Sequence, residues 1–519
     1  MLSPVELRPF DYSIVDVFGG ADRPEPSYLY DYLHTLGAKS LVFEPRYVDR
    51  HYLDEYAHYY ATSFVPPGPG CQRFHFFAAS IDELDSLLGR AFDGEHATVQ
   101  REIAQRELYL GFVVRRPLPA ARIGRTVLRT YPVDGRRNYQ AVRAYHVNLC
   151  GLRITLDGLA YQQQDGGAAV CASVALWSAL QSVADMAGHR TPTPMSITRA
   201  SGTPFPASVG LHSHQMATAL SNLGYLAESF APGTNRDAFR TKLVTCLDSQ
   251  LPVVLLLAQR EPSTARKISE SDSRSVSPDD GWVTSGHAVT LTGYAEPTRV
   301  VEVLPTVARE GPPIPMRAAS VEVVYTHDDN LGSHAHYELF DSEQPNAQGE
   351  KTLVLFRGRR DRPAKPWWRP DEWEVLEALV CKPPKLRASV DELIADIRFV
   401  RPLVEQVILQ GMPLPVHYSA RFSSGVRLKS SILSMPLDRS GMREFQLHTS
   451  FPRHVGIVSV HTGSVHILDL VLDASQLRRD PSLPLLAIVA PGVMPGSRAW
   501  NGLRGIQAVG MPVILGNPL

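Results

Sequence analysis

Four residue types fall in an order that could perform acyl chemistry. Cys171 stands where a Gly/Ala-rich loop, GGAAV, turns into an apolar helix, and Gln164 lies in a run of three glutamines just ahead of it. Far downstream His287 opens the strand SGHAVTLTGYAE, and Asp328 and Asp329 end VEVVYTHDDNLG. A cysteine nucleophile needs a base for its proton, a third group to orient that base, and donors for the oxyanion. Each part is available here. A thiol in the first turn of a helix feels free N–H groups and the positive end of the helix dipole, both of which favour thiolate. A nearby imidazole would share the proton, and a carboxylate bonded to the ring would fix its tautomer. Taken alone, a cysteine is more often a small buried hydrophobe and a strand-end histidine an ordinary polar residue. Their joint occurrence points to catalysis. Adjacent strand residues face opposite sides, so one of Asp328 and Asp329 is expected to face His287, and the register leaves open which.

The elements that must position these groups are legible in outline. From Ala172 onward, Ser178, Gln181, Ser182 and Asp185 form a narrow polar stripe, while Val174, Leu176, Trp177, Leu180, Val183 and Met186 cover the rest, so the helix is mostly buried. Gly188 ends it, with Pro192 and Pro194 beyond. A helix from about His212 to Gly224 follows, then the helix RDAFRTKLVTCLDSQ and the buried strand LPVVLLLA. Two irregular stretches, 259–285 and 300–318, interrupt the strands and are expected to supply specificity.

At 519 residues the chain has room for several domains. With 52 basic and 53 acidic residues, no global field draws it onto nucleic acid or an anionic membrane. The arginine-rich stretch from Arg101 to Arg143 reads as a solvated face. Five scattered cysteines without a CxxC pair argue against a disulfide framework and for a reducing cytoplasm. No secretory signal and no membrane-spanning run is read.

Residues 1–158 read as an N-terminal α/β region with strands in SLVFEPRYV, FHFFAAS and ELYLGFVVRRPLP and helices in DEYAHYYATSF and IDELDSLLGRAF. Residues 159–356 carry the catalytic pieces. Residues 357–411 read as a basic, proline-bearing linker, RGRRDRPAKPWWRPDEW, and a packing helix. Residues 412–519, with VRLKSSIL, HVGIVSV, HILDLVLD and LLAIVAP, read as β-rich. A rival reading uses His327, Asp328, Asp329, His334 and His336 as a metal site, but the acids serve the cysteine better. The HSH run at 212–214 reads as surface.

The sequence resembles the papain-like cysteine peptidases, most closely the bacterial branch typified by bacteriocin-leader peptidases. QQDGGAAVCASVALW, SGHAVTLTGY and VVYTHDDNLG carry the resemblance, with SNLGY and QLPVVLLL in support, over residues 160–340. It departs at Ala172, where many relatives have glycine. The resemblance implies an α+β fold whose papain-like core packs the central cysteine helix on an antiparallel sheet. It implies Cys171 as nucleophile, His287 as base, Asp328 as orienting acid with Asp329 as the alternative, and Gln164 as oxyanion donor, with Gln163 not separated by spacing. The implied activity is cleavage of a peptide or isopeptide bond through an acyl-enzyme, on a protein or peptide substrate, with no cofactor and no metal. A transglutaminase-like acyl transferase and a non-catalytic binding module are the alternatives.

Overall fold

The computed structural model describes residues 5–132, 136–165, 170–203, 210–259, 286–304, 312–342, 351–358, 371–409, 415–435, 439–476, 485–493, 496–508 and 511–515. Most of the two stretches expected to supply specificity, at 260–285 and 305–311, lies outside these residues, as does the linker at 359–370. No helix among the described residues is long and apolar enough to cross a membrane.

The chain forms two compact units, each built from separate segments. The first comprises Met1–Ser229, Pro252–Tyr294 and Val323–Cys381; the second comprises Phe230–Leu251, Ala295–Glu322 and Lys382–Leu519. These units cut across the contiguous regions read along the sequence.

In the first unit, Glu6–Pro9, Ser40–Tyr47, Cys71–Phe77, Tyr109–Arg115 and Ile123–Leu128 form a five-stranded antiparallel sheet in chain order. Its aromatic-rich strands bury Phe43, Phe74 and Phe76 against Tyr32 and Leu33 of the helix Pro24–Thr35. The aromatic helix expected from DEYAHYYATSF starts earlier, as Arg50–His58, because the Asp49 carboxylate accepts the His51 and Tyr52 N–H groups and caps it. The arginine stretch is not simply solvated. Arg116 is buried against Glu55, and Arg125 is bonded to Asp49 at 2.8 Å.

The fold expected around the cysteine helix needs correction. Strands Val253–Gln259, Gly286–Ala295, Val323–Asp328, Gly332–Asp341, Leu353–Arg357 and Glu372–Lys382 pair antiparallel in that order, and the last returns to pair with the first, Val253 opposite Val380. The result is a closed six-stranded antiparallel barrel, not the papain-like core of a helix on an antiparallel sheet. Closure depends on Glu372–Lys382, which falls where the sequence reads as linker. Trp373, taken as part of a connector, stands opposite Gln259 and Leu355 in the wall. A sheet whose two outer strands find each other removes both edges, which a local reading cannot foresee.

In the second unit, Val301–Val303, Ile314–Met316, Val416–Ser424, His454–Thr462, Val465–Asp473, Leu485–Ala490 and Val513–Leu515 form a seven-stranded sheet. It is antiparallel except where Ile314–Met316 meets Val416–Ser424 and Leu485–Ala490 meets Val513–Leu515. VRLKSSIL, expected as a strand, is the helix Gly425–Leu433, capped by Ser424. Its Leu428 and Ile432, four apart, pack on Val455 and Ile457. The helices Arg236–Asp248 and Val390–Pro402 belong to this unit and are tied by Lys242 to Asp391 at 2.8 Å.

Candidate active site

The cysteine helix runs Cys171–Ala187 and ends on Gly188 in the left-handed conformation, as its sequence requires. Among the described residues no side chain caps its first turn, because Val170 stands at the cap position. The backbone N–H groups there are directed at whatever sits by Cys171. The expected polar stripe is not a wet face. Ser178 donates to the Ala160 carbonyl at 2.9 Å, Gln181 accepts from Tyr145 at 3.1 Å, and Asp185 alone of the four is exposed. Trp177, fully buried, donates to His51 Nδ1 at 3.2 Å. Thr290, on the strand that carries His287, donates to the Ala175 carbonyl at 2.8 Å and so fixes helix and strand to one another.

His287 is buried, with its ring against Trp373 at a centroid distance of 5.3 Å. The ring lies close enough to the Cys171 side chain for the thiol to act on its pKa, and Nε2 donates to Asp328 Oδ1 at 2.9 Å. Burial by itself would lower the imidazole pKa, but the Asp328 carboxylate, its hydrogen bond, the Asp329 charge and the thiol contact raise it well above the ordinary value.

Asp328 is completely buried and fully bonded. Its Oδ1 takes the His287 N–H and the Asn330 backbone N–H at 3.0 Å. Its Oδ2 takes Arg357 Nη2 at 3.0 Å and the Tyr337 hydroxyl. Burial would raise its pKa, yet Arg357, His287 and Tyr337 hold the carboxyl well below the usual range.

Asp329 also faces His287, with Oδ1 3.6 Å from Nε2. The expectation that neighbouring residues point apart does not hold here, because the strand ends at Asp328 and the chain turns, Leu331 N–H donating to the Asp328 carbonyl at 2.9 Å. The turn is pinned from outside by Tyr28, which donates to the Ser333 carbonyl at 2.8 Å. Its ring packs so close to Gly332 that an added Cβ would stand 2.2 Å from it.

The three glutamines separate cleanly. Gln162 donates to Glu55 at 3.0 Å, and Gln163 donates to Glu25 at 2.8 Å while accepting from Ile123 N–H. Gln164 alone is half-exposed, and its amide donates to Asn330 Oδ1 at 3.2 Å, beside the two aspartates. The loop base is anchored by the buried Arg116, which donates to Glu55 at 3.2 Å and to the Gln163 carbonyl at 2.7 Å. Residues 166–169 of the loop lie outside the described residues.

The residues of the rival metal reading split into groups, with the His327 and His334 rings packed at 4.5 Å between centroids and the two aspartates on His287. His327 donates to the Leu159 carbonyl at 3.0 Å and accepts from the His334 N–H, and burial lowers its pKa to about 3. His334 contacts Thr292 at 2.9 Å, and His336 bonds the Gly358 carbonyl at 2.9 Å. His287, Asp328 and Asp329 do bring ligand atoms within 4.8 Å of one another. Arg357, 3.0 Å from Asp328 Oδ2, already places a positive charge beside the trio.

Sequence reasoning named Cys171, His287, Asp328, Asp329 and Gln164, and the structure brings His287, Asp328 and Asp329 together, with Cys171 beside His287 and Gln164 bonded to the adjacent Asn330. It missed Arg357, Tyr337, Trp373 and Asn330. The first three arrive through barrel pairing and carry no local signal; Asn330 follows the two aspartates directly and could have been noticed. No family model and no curated protein matches this chain.

Proposed function

We propose that the protein is a thiol hydrolase that cleaves a peptide or isopeptide bond through an acyl-enzyme on Cys171. One observation carries this reading: a single buried imidazole stands beside a cysteine at a helix N-terminus and is bonded to a charged, fully bonded aspartate. The Cys171 thiolate attacks the substrate carbonyl carbon. Gln164 and the first-turn N–H groups donate to the oxygen that becomes negative. The His287 imidazolium gives its proton to the departing amine, and the neutral ring then takes a proton from the water that attacks the thioester. Asp328 keeps the ring oriented and stabilises its charged form. The substrate is a protein or peptide, and the compartment is the cytoplasm.

The test is labelling of the full chain by an electrophilic carbonyl probe. Labelling is expected at Cys171, absent in Cys171→Ala and greatly slowed in His287→Ala. Labelling that survives Cys171→Ala, or is indifferent to His287→Ala, would sink the reading. Product analysis with an added amine separates hydrolysis from acyl transfer.

A further inference from the structure

His287 has two carboxyls within reach, and the reaction above uses one. Asp328 takes four hydrogen bonds. Asp329 is 3% exposed, and neither of its oxygens has a hydrogen-bond partner. A buried, unbonded carboxylate is costly unless a neighbour compensates or the group keeps its proton. The groups that face it come from several elements: His287 from Gly286–Ala295, Asp328 beside it in the chain, and Glu25 from the helix Pro24–Thr35. Tyr161 donates to its backbone carbonyl at 3.5 Å, while Arg357 and Tyr337 reach the cluster through Asp328. Burial foremost pushes the Asp329 carboxyl up to about 7; the charges of Asp328 and Glu25 add to the rise, and His287 opposes it. Its charge therefore changes in the working range of a cysteine–imidazole pair.

We propose that Asp329 is a second positioning carboxyl for His287, neutral while Asp328 alone supports the imidazolium and an added negative charge beside Nε2 once it ionises. The proposal rests on the reading of Cys171 and His287 as a catalytic pair. The step is a simple ionisation: the carboxyl proton leaves to solvent, and no bond to sulfur or carbon changes. A carboxylate at this distance favours the charged ring, so the imidazolium persists to higher pH with Asp329 than without it.

Alkylation of Cys171 across pH, followed on its own peptide by mass spectrometry, reads this directly. Iodoacetamide, uncharged, reports the thiolate. Iodoacetate, an anion, is also drawn by the imidazolium, so its rate falls when the ring loses its proton. Wild-type protein is expected to show a rise on the acid side and, with iodoacetate, a fall on the alkaline side. In Asp329→Asn the acid rise stays and the alkaline fall moves down by about one pH unit, while Asp329→Glu, which keeps the charge, restores it. Superimposed iodoacetate curves for wild type and Asp329→Asn overturn the proposal.

Should Asp329→Asn not fold, Asp329→Ser carries the same expectation. Failure of both to fold also overturns it, because a group without partners that tunes a neighbour is dispensable for folding. The underlying reading fails separately if wild-type Cys171 alkylates as an ordinary thiol, rising only near pH of about 8.5 with no alkaline fall for the anion.

Discussion

Two histidine–aspartate contacts in this protein have the same length and different meanings. His287 Nε2 lies 2.9 Å from Asp328 Oδ1 in the barrel, and His466 Nε2 lies 2.9 Å from Asp469 Oδ1 in the seven-stranded sheet. Both aspartates are completely buried, both are held below the ordinary carboxylate pKa, and both have an arginine partner. The difference lies on the far side of the ring. The His287 side chain is 4% exposed and stands beside a thiol. The His466 side chain is 33% exposed and meets another imidazole, His461, at 5.3 Å between centroids. That imidazole belongs to a row across three strands, because His417 stands opposite His461 and His461 opposite His466. A buried acid on a histidine is thus a device for fixing a ring. What the ring then touches, a thiol in one case and a row of imidazoles in the other, sets the two apart.

The comparison breaks first on turnover. On the proposed mechanism, His287→Ala is expected to slow probe acylation by about a hundredfold to ten-thousandfold, while His466→Ala leaves it within about twofold. Equal losses would show that the two pairs are not different in kind.

Stability sharpens the same contrast. Arg357→Ala strands the buried Asp328 charge and is expected to cost about 3–5 kcal/mol in denaturant unfolding. Arg421 has a side chain 34% exposed and sits 3.5 Å from Asp469, so Arg421→Ala is expected to cost about 1 kcal/mol or less. A similar cost for both would mean that exposure is not what separates them.

The smallest effect is in the response to mild acid. His287 has its pKa raised from 6.5, so its contribution to stability is fully present below 6.5 and is lost as pH climbs through the raised value. Asp328 has its pKa lowered from 3.8, so its contribution is present above 3.8 and is lost as pH falls through the lowered value. His461 is the opposite of His287: burial foremost, then its histidine neighbours, lower it from 6.5 to about 4, so its contribution is present above 6.5 and drains away as pH falls toward 4. Between pH 7 and 5, hydrogen exchange, after correction for intrinsic rates, is expected to quicken in His454–Thr462.

What the sequence made legible follows from range of interaction. The cysteine helix, the strand opened by His287 and the acids at the end of Val323–Asp328 are each set by local periodicity and turn residues, and they could be read one at a time. The choice between Asp328 and Asp329 could not, because it depended on where the strand stops. Arg357 reaches Asp328 across an intervening strand, Gly332–Asp341, and Trp373 reaches His287 because Glu372–Lys382 closes the barrel. Such pairings join residues far apart in sequence, and nothing in either segment alone announces its partner. VRLKSSIL failed for a smaller reason: its alternation of apolar and charged residues imitates a strand until the pair Leu428 and Ile432 is set on Val455.

The closed barrel also limits how a peptide can be held. Many proteins that bind extended chains enlist them as an additional strand on an open sheet edge. Inside this ring Gly286–Leu291 pairs with Val253–Ala258 on one flank and Thr290–Tyr294 pairs with Val324–His327 on the other, so the stretch where the two ladders overlap, at Thr290 and Leu291, offers no such seat.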